Sequence, residues 1–174
     1  MTSRSEYFLK LPEVQSKEMP ILDVAFQVRT AQTEDASLLA QLMINAYHGT
    51  IDYDGETFDD ALSEVNAFLA GERGGSPWLD LSFLAFDNSD LVGACLIGEW
   101  KDRQAPIIAY LMTNANWKNR GVGRQLLSLG LKALIEKGFK EARAVITDGN
   151  KPSESVFLKF GFQKVKTSQT NNAA

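Results

Sequence analysis

The sequence predicts an α/β (α+β) fold, a mixed and mostly antiparallel sheet flanked by helices. Three observations carry that expectation. Segments with apolar residues at helical spacing alternate with shorter strand-like runs, in the order strand, helix, helix, three strands, helix, strand, helix, strand. The three consecutive strands are joined by connections too short for a crossover, which makes them an antiparallel meander. A polar, glycine-punctuated turn, Trp117-Lys118-Asn119-Arg120-Gly121-Val122-Gly123, then leads from the last of those strands straight into a helix.

Each element has its own local reason. Residues 1 to about 20 are mixed polar with Pro12 and Pro20 and read as an N-terminal extension, in which Tyr7 to Leu11 has the pattern of a short strand. Residues 21–174 are expected to form one domain. Val24 to Arg29 alternates as a strand. Thr33 is placed to cap a first helix, with Glu34 and Asp35 in its first turn and Leu38, Leu39, Leu42, Met43 and Ala46 on its apolar face. After a loop from Gly49 to Gly55, residues Phe58, Ala61, Leu62, Val65, Phe68 and Leu69 form the stripe of a second helix, which Gly71 and Gly74-Gly75-Ser76-Pro77 end. The meander follows as Leu81 to Phe86, Leu91 to Trp100 and Ile107 to Thr113, turning at residues 87–90 and 101–104. The helix after the glycine turn buries Leu126, Leu127, Leu131, Leu134 and Ile135 and stops at Gly138. Ala142 to Thr147 reads as a buried strand. A last helix starts near Pro152, buries Val156, Phe157 and Phe160, and gives way at Gly161 to a strand from Phe162 to Val165.

Composition narrows the function classes. With 174 residues, 44% of them hydrophobic, the chain suffices for a single domain with a sizeable core. A net charge of -4 and a pI near 5.1 argue against a general nucleic-acid binder, which carries a basic surplus. Cys95 is the sole cysteine, so an intramolecular disulfide and a thiolate metal cluster are both excluded. One histidine, His48, speaks against a Ser-His-Asp hydrolase and a histidine-rich metal site. No segment is apolar for long enough to span a membrane and the N-terminus has no secretory apolar region, so a cytoplasmic protein is expected.

Against this acidic background the glycine turn is locally basic. The first turn of a helix leaves backbone N–H groups without intrahelical acceptors, at the positive end of the helix dipole. Gly121 and Gly123 let the backbone approach an anion closely, and Lys118, Arg120 and Arg124 add positive charge. The third glycine of a dinucleotide fingerprint is absent, since Leu126 stands there, and so is the Gly-Lys-Ser/Thr end of a P-loop.

The element order and two short motifs resemble the GNAT superfamily of N-acetyltransferases over about residues 24 to 165. The family's cofactor signature, Gln/Arg-x-x-Gly-x-Gly/Ala, is matched by Lys118-Asn119-Arg120-Gly121-Val122-Gly123, with Lys in the first place. Its second signature, an Asn followed by an aromatic residue and Gly-Phe, is matched by Asn150, Phe157 and Gly161-Phe162. The resemblance implies acetyl-CoA as cosubstrate, no metal, and a sheet splayed at the strand 107–113. It further implies that the N–H groups from Arg120 through Arg124, including those of Gly121, Val122 and Gly123, hold the pyrophosphate. Leu111, Met112 and Thr113 would bond the pantetheine arm, the Leu111 N–H would serve as oxyanion donor, and Asn150 and Phe157 would line the far wall of the pantetheine tunnel.

The residues that move protons are less evident. Family members often carry a Tyr hydroxyl at Phe157 and some a Glu at Ile107, and this chain has neither. Glu99 and Tyr110, each acting through water, are the two candidates for the base. Ser153 either holds a relay water or is an ordinary serine of a helix start. The acidic run from Asp52 to Asp60 either starts the second helix, with Thr57 as cap, or recognises a cationic primary amine. The tail after Val165 is too polar for a second core strand, so the open sheet edge is expected to be covered by Tyr7 to Leu11 or by a second subunit in a homodimer. The expected function is transfer of an acetyl group from acetyl-CoA to a primary amine by direct attack in a ternary complex. The alternative is a CoA-binding sensor or interaction module that has lost transfer activity.

Overall fold

A computed structural model describes residues 2–11 and 26–166. Among these residues seven strands, β1 (Arg4–Lys10), β2 (Gln27–Thr30), β3 (Phe83–Asp87), β4 (Asp90–Trp100), β5 (Ala105–Thr113), β6 (Glu141–Thr147) and β7 (Gln163–Lys164), form one sheet in the order β2-β3-β4-β5-β6-β1-β7. Helices α1 (Ala36–Tyr47) and α2 (Phe58–Leu69) precede the meander, and α3 (Val122–Glu136) and α4 (Lys151–Lys159) alternate with the last strands. All neighbouring strands pair antiparallel except β5 and β6. Among the described residues no helix is long and apolar enough to cross a membrane. Val24 and Ala25 of the first expected strand, the proline-bearing stretch after Leu11 and the tail from Thr167 lie outside the described residues.

Strand alternation divides the core between the two faces of the sheet. Ala94 and Leu96 of β4 join Met112 of β5 in a cluster with Leu39, Leu42 and Met43 of α1 and Ala61, Val65 and Phe68 of α2. Cys95 and Ile97 face the other way, into a cluster with Leu126, Leu127, Leu131 and Leu134 of α3 and Phe157 of α4. Gly93 lets α3 sit close to the sheet: a Cβ there would stand 2.6 Å from Val122 Cγ1 and 2.9 Å from Leu126 Cδ1.

Two expected boundaries differ. Asp35 does not extend the first helix; its carboxylate pairs with Arg29 at 2.7 Å and accepts the Gln32 N–H at 2.8 Å, so a 3-10 turn over Thr33–Asp35 precedes α1. The third strand begins at Phe83 rather than Leu81. Leu79–Leu81 makes a 3-10 turn, and the buried Ser82 hydroxyl takes a place in the ladder, accepting the Ile97 N–H at 2.8 Å while donating to the Trp78 carbonyl at 2.9 Å.

The N-terminal strand covers the edge that the short C-terminal strand leaves. β1 pairs with β6 from Arg4↔Thr147 to Lys10↔Glu141, and holds β7 on its other side at Tyr7↔Lys164 and Phe8↔Gln163. Glu6, placed between Arg143 at 2.5 Å and Arg103 at 2.7 Å, ties β1 to β6 and to the β4–β5 turn. Asp148 accepts from Ser3, Ser5 and Lys164 and fastens the other end. Of the two expected covers, the Tyr7 to Leu11 segment is the one that lies along β6, as part of β1.

Candidate active site

β5 and β6 are in register only at Ile107↔Arg143 and Ile108↔Ala144; from Ala109 onward the strands part. Residues opposite each other in an antiparallel pair alternate between hydrogen-bonded and non-bonded kinds. The Asn114 N–H donates to the Val92 carbonyl at 2.8 Å, which makes Val92–Asn114 a bonded pair. Two places on, Ala94–Met112 is then bonded as well, while Cys95–Leu111 and Gly93–Thr113 are of the other kind. The amides of Leu111 and Thr113 therefore point away from β4, toward the opened gap. Met112, expected with them, spends its backbone on β4 and buries its side chain among α1 and α2.

The turn after β5 is built to leave a helix end bare. Asn119 and Gly121 have φ of 63° and 81°, in the left-handed region that favours glycine. Gly121 is the N-cap of α3 and no side chain caps it; the first helical bond is Gln125 N–H to the Gly121 carbonyl at 3.0 Å. Among the described residues the N–H groups of Val122, Gly123 and Arg124 thus have no side-chain acceptor, whereas α2 and α4 cap themselves through Thr57 with Asp60 and through Asn150. An anion fits this end, and the donor set suits the pyrophosphate of a CoA-type ligand. The surrounding cations are placed differently from one another. Lys118 donates to the Ala46 carbonyl at 2.8 Å and so fastens the turn to the end of α1. The Arg120 guanidinium lies 4.9 Å from the Trp117 ring centre, and Arg124 is exposed beside it.

A cleft of about 750 Å³ opens beside the strand gap. Leu111, Tyr110, Ile107, Asn150, Ser153 and Phe157 all line it. The Phe157 ring is edge-on to Phe162 at 5.0 Å and brings no hydroxyl to the wall. Asn150 uses both ends of its amide: the oxygen caps α4 at the Ser153 N–H, 3.2 Å away, and the nitrogen donates to Asp52 at 2.6 Å. That second bond carries the α1–α2 loop across to α4. His48 instead stays exposed, its ring 5.0 Å from that of Tyr53.

The cleft is acidic. Asp52, Glu56, Asp60, Glu64 and Glu99 line it, against Arg4 and Arg73. Thr57 and Asp60 form a reciprocal cap at the start of α2, so part of the acidic run starts that helix as well as facing the cleft. Glu99 accepts weakly from the Ser76 N–H at 3.4 Å and sits opposite Pro106, at the far end of β5 from Leu111. Tyr110 donates its hydroxyl to Glu64, which Arg73 grips through Nε at 2.9 Å and Nη2 at 2.6 Å. The Arg73 guanidinium holds the Glu64 carboxyl below the usual range, in spite of some burial. Burial pushes the Tyr47 and Tyr110 phenols up, and Glu64 raises Tyr110 further.

Glu64 and Arg73 escaped the sequence reading. On α2 Glu64 is an ordinary polar position beside Ala61 and Val65, and its phenol partner is 46 residues away. The bond from Asp52 to Asn150, across 98 residues, left no local signal either.

Comparison with known proteins agrees with this architecture. The Acetyltransferase (GNAT) family description matches residues 44–162. The chain is similar to N-alpha-acetyltransferase MAK3 of Arabidopsis thaliana, 29% identical over 91 residues, covering 51% of this chain and 48% of that one; it spans about half the length of this curated relative. In fold it is similar to the PaiA N-acetyltransferase of Thermoplasma acidophilum, solved with coenzyme A, at a TM-score of 0.63 and 20% identity over 84% of this chain and 94% of the other. It is also similar to the aminoglycoside N-acetyltransferase AAC(6')-Iy, solved with a bisubstrate analogue of CoA and acetylneamine, at a TM-score of 0.62 and 16% identity over 83% of this chain and 95% of the other. A strand gap with outward amides, an uncapped helix end beside it and the match over residues 44–162 lead to one conclusion: the chain belongs to the Acetyltransferase (GNAT) family.

Proposed function

We propose that the protein moves an acetyl group from acetyl-CoA to a primary amine by direct attack in a ternary complex. The observation that carries this reading is the continuity from the bare N-terminus of α3, past the outward amides of Thr113 and Leu111, into an acidic cleft. When bound, acetyl-CoA supplies a thioester carbonyl activated toward an amine. The N–H groups of Val122, Gly123 and Arg124 would hold its pyrophosphate, with Arg120 and Arg124 adding charge. The Leu111 and Thr113 backbone would bond its pantetheine arm, and Asn150 and Phe157 would bound the opposite wall. The Leu111 N–H is aimed to donate to an oxygen that gains negative charge as the amine adds.

Five carboxylates against two guanidiniums favour an acceptor that arrives as a cation, such as an ammonium-bearing small molecule or the amino group of a peptide. Arg73 is already engaged by Glu64, which leaves the cleft's surplus negative. Thiol release from acetyl-CoA, followed across a panel of mono- and polyamines and peptides, tests the proposal. Turnover with at least one amine is the expected result. CoA binding without turnover on any amine would favour the sensor or interaction module instead, a reading to which the hydroxyl-free Phe157 and the apolar Ile107 in the cleft wall lend some weight.

A further inference from the structure

We infer that Tyr110 and Glu64 form the outlet by which the acceptor amine loses its proton, Tyr110 touching the amine and Glu64 acting through it. The inference rests on the acetyl-transfer reading above. Tyr110 stands where β5 has already left β6, one residue before Leu111, whose amide faces the gap. Its phenol lines the cleft, held by an edge-on contact with Phe68 at 5.5 Å. The hydroxyl donates to Glu64 Oε1, and an ionised carboxylate can only accept. Arg73 fixes that carboxylate from the other side, so it has no freedom to turn away.

A phenol both donates and accepts, but with its one proton committed to Glu64 the oxygen of Tyr110 offers the cleft lone pairs alone. A group placed there must bring a hydrogen. An ammonium or amine N–H fits; a carboxylate does not. The same arrangement moves a proton without an intervening step: the ammonium proton passes to Tyr110 Oη as the tyrosine's own proton passes to Glu64 Oε1. Tyr110 ends neutral, Glu64 ends protonated, and the nitrogen holds a free electron pair. As the carbon–nitrogen bond forms and the carbon–sulfur bond breaks, its electron pair leaves on sulfur, and the second nitrogen proton leaves with CoA as the thiol. The Glu64 side chain is 34% exposed, which lets it return its proton to water.

The surroundings keep each group in the state the relay needs. Burial and then Glu64 raise the Tyr110 phenol, so it does not ionise by itself and serves as a conduit. Tyr47 from α1 faces the pair, as does Arg4 from β1, which with Arg73 favours the charged form of Glu64. Asp60 of α2, Asp52 of the α1–α2 loop and Glu99 of β4 complete the charged lining. Glu99 sits opposite Pro106, toward the far end of β5 from Leu111.

The test is a double-mutant cycle on the full chain, wild type, Tyr110→Phe, Glu64→Gln and the double variant, with an amine that the wild type acetylates. At pH 7 each single variant should lose about a hundredfold in kcat/KM, and the double variant no more than either, because both remove one relay. Between about pH 6.5 and 8.5 the wild-type log(kcat/KM) should stay nearly level, while each variant gains about one log unit per pH unit because it depends on amine already neutral. Arg73→Gln, which keeps Tyr110 and Glu64 but loosens the carboxylate, should move the acid limb of the profile to higher pH, since the guanidinium that lowers the Glu64 carboxyl is gone. Outside activity, ultraviolet titration should show one raised phenol falling back in Glu64→Gln, and CoA affinity should be unchanged in all variants. Losses that multiply in the double variant, or variant profiles parallel to wild type, would overturn the relay while leaving acetyl transfer intact. A wild-type protein that acetylates no amine would refute the transfer reading itself, and the relay with it.

Discussion

The amide of Asn150 accepts from the first turn of α4 and donates to Asp52, so one side chain serves a helix end and a loop 98 residues away. Asn150→Ala removes both contacts. The lost cap costs about 1 kcal/mol and the bond to a charged, partly exposed carboxylate adds about as much again. Urea unfolding should therefore show a loss of about 2 kcal/mol, with faster proteolysis between Gly49 and Gly55. Arg120 and Arg124 belong to the other kind of residue, both exposed, with Arg120 laid over the Trp117 ring. Arg120→Glu with Arg124→Glu should leave Tm close to wild type and weaken CoA binding more than tenfold, read by calorimetry. Unchanged affinity would remove the helix N-terminus as the phosphate site.

At the scale of elements, α3 is positioned by what is missing from β4. The stiff, β-branched Val122 stands against Gly93, so an added methyl cannot be absorbed by a rotamer change there. Gly93→Ala should cost about 1–3 kcal/mol by overpacking. The helix that must shift is also the one whose N-terminus faces the proposed cofactor, so CoA affinity should fall along with Tm. Gly138, at the other end of α3 with open space around it, makes the contrast: with φ of 89° an Ala there strains the backbone but leaves the helix start in place, and CoA affinity should hold.

For the whole molecule, charge couples the sheet to pH. The Arg103 and Arg143 guanidiniums hold Glu6 below its ordinary 4.5, Arg29 holds Asp35 below 3.8, and hydrogen bonds from Ser5, Ser3 and Lys164 lower Asp148. The folded chain binds fewer protons at these groups than the unfolded one, so their contribution is complete above the ordinary carboxylate values and is lost as pH falls through the lowered ones. Tyr47 and Tyr110 are raised above 10.0 and Cys95 from 9.0 to about 12 by burial. Their contribution is complete below the ordinary values and is lost as pH rises past them. Tm should thus be level between about pH 5 and 8.5 and fall on both sides, the acid side first loosening β1 from β6. Much of this architecture was legible beforehand, because helical and strand periods, caps and glycine turns act within a few residues. The order of elements, the meander, the turn at Gly121 and Gly123 and the pairing of Asn150 with Gly161-Phe162 are all local patterns. What only the tertiary structure decided is which distant groups meet. The insertion of β1 between β6 and β7, the spending of Met112 on β4 while Leu111 faces the gap, and the meeting of Tyr110 with Glu64 and Arg73 depend on register and packing across the sheet. Spacing along the chain carries no record of them, because a contact closed over 46 residues is set by where strands and helices stack and not by what adjoins either partner.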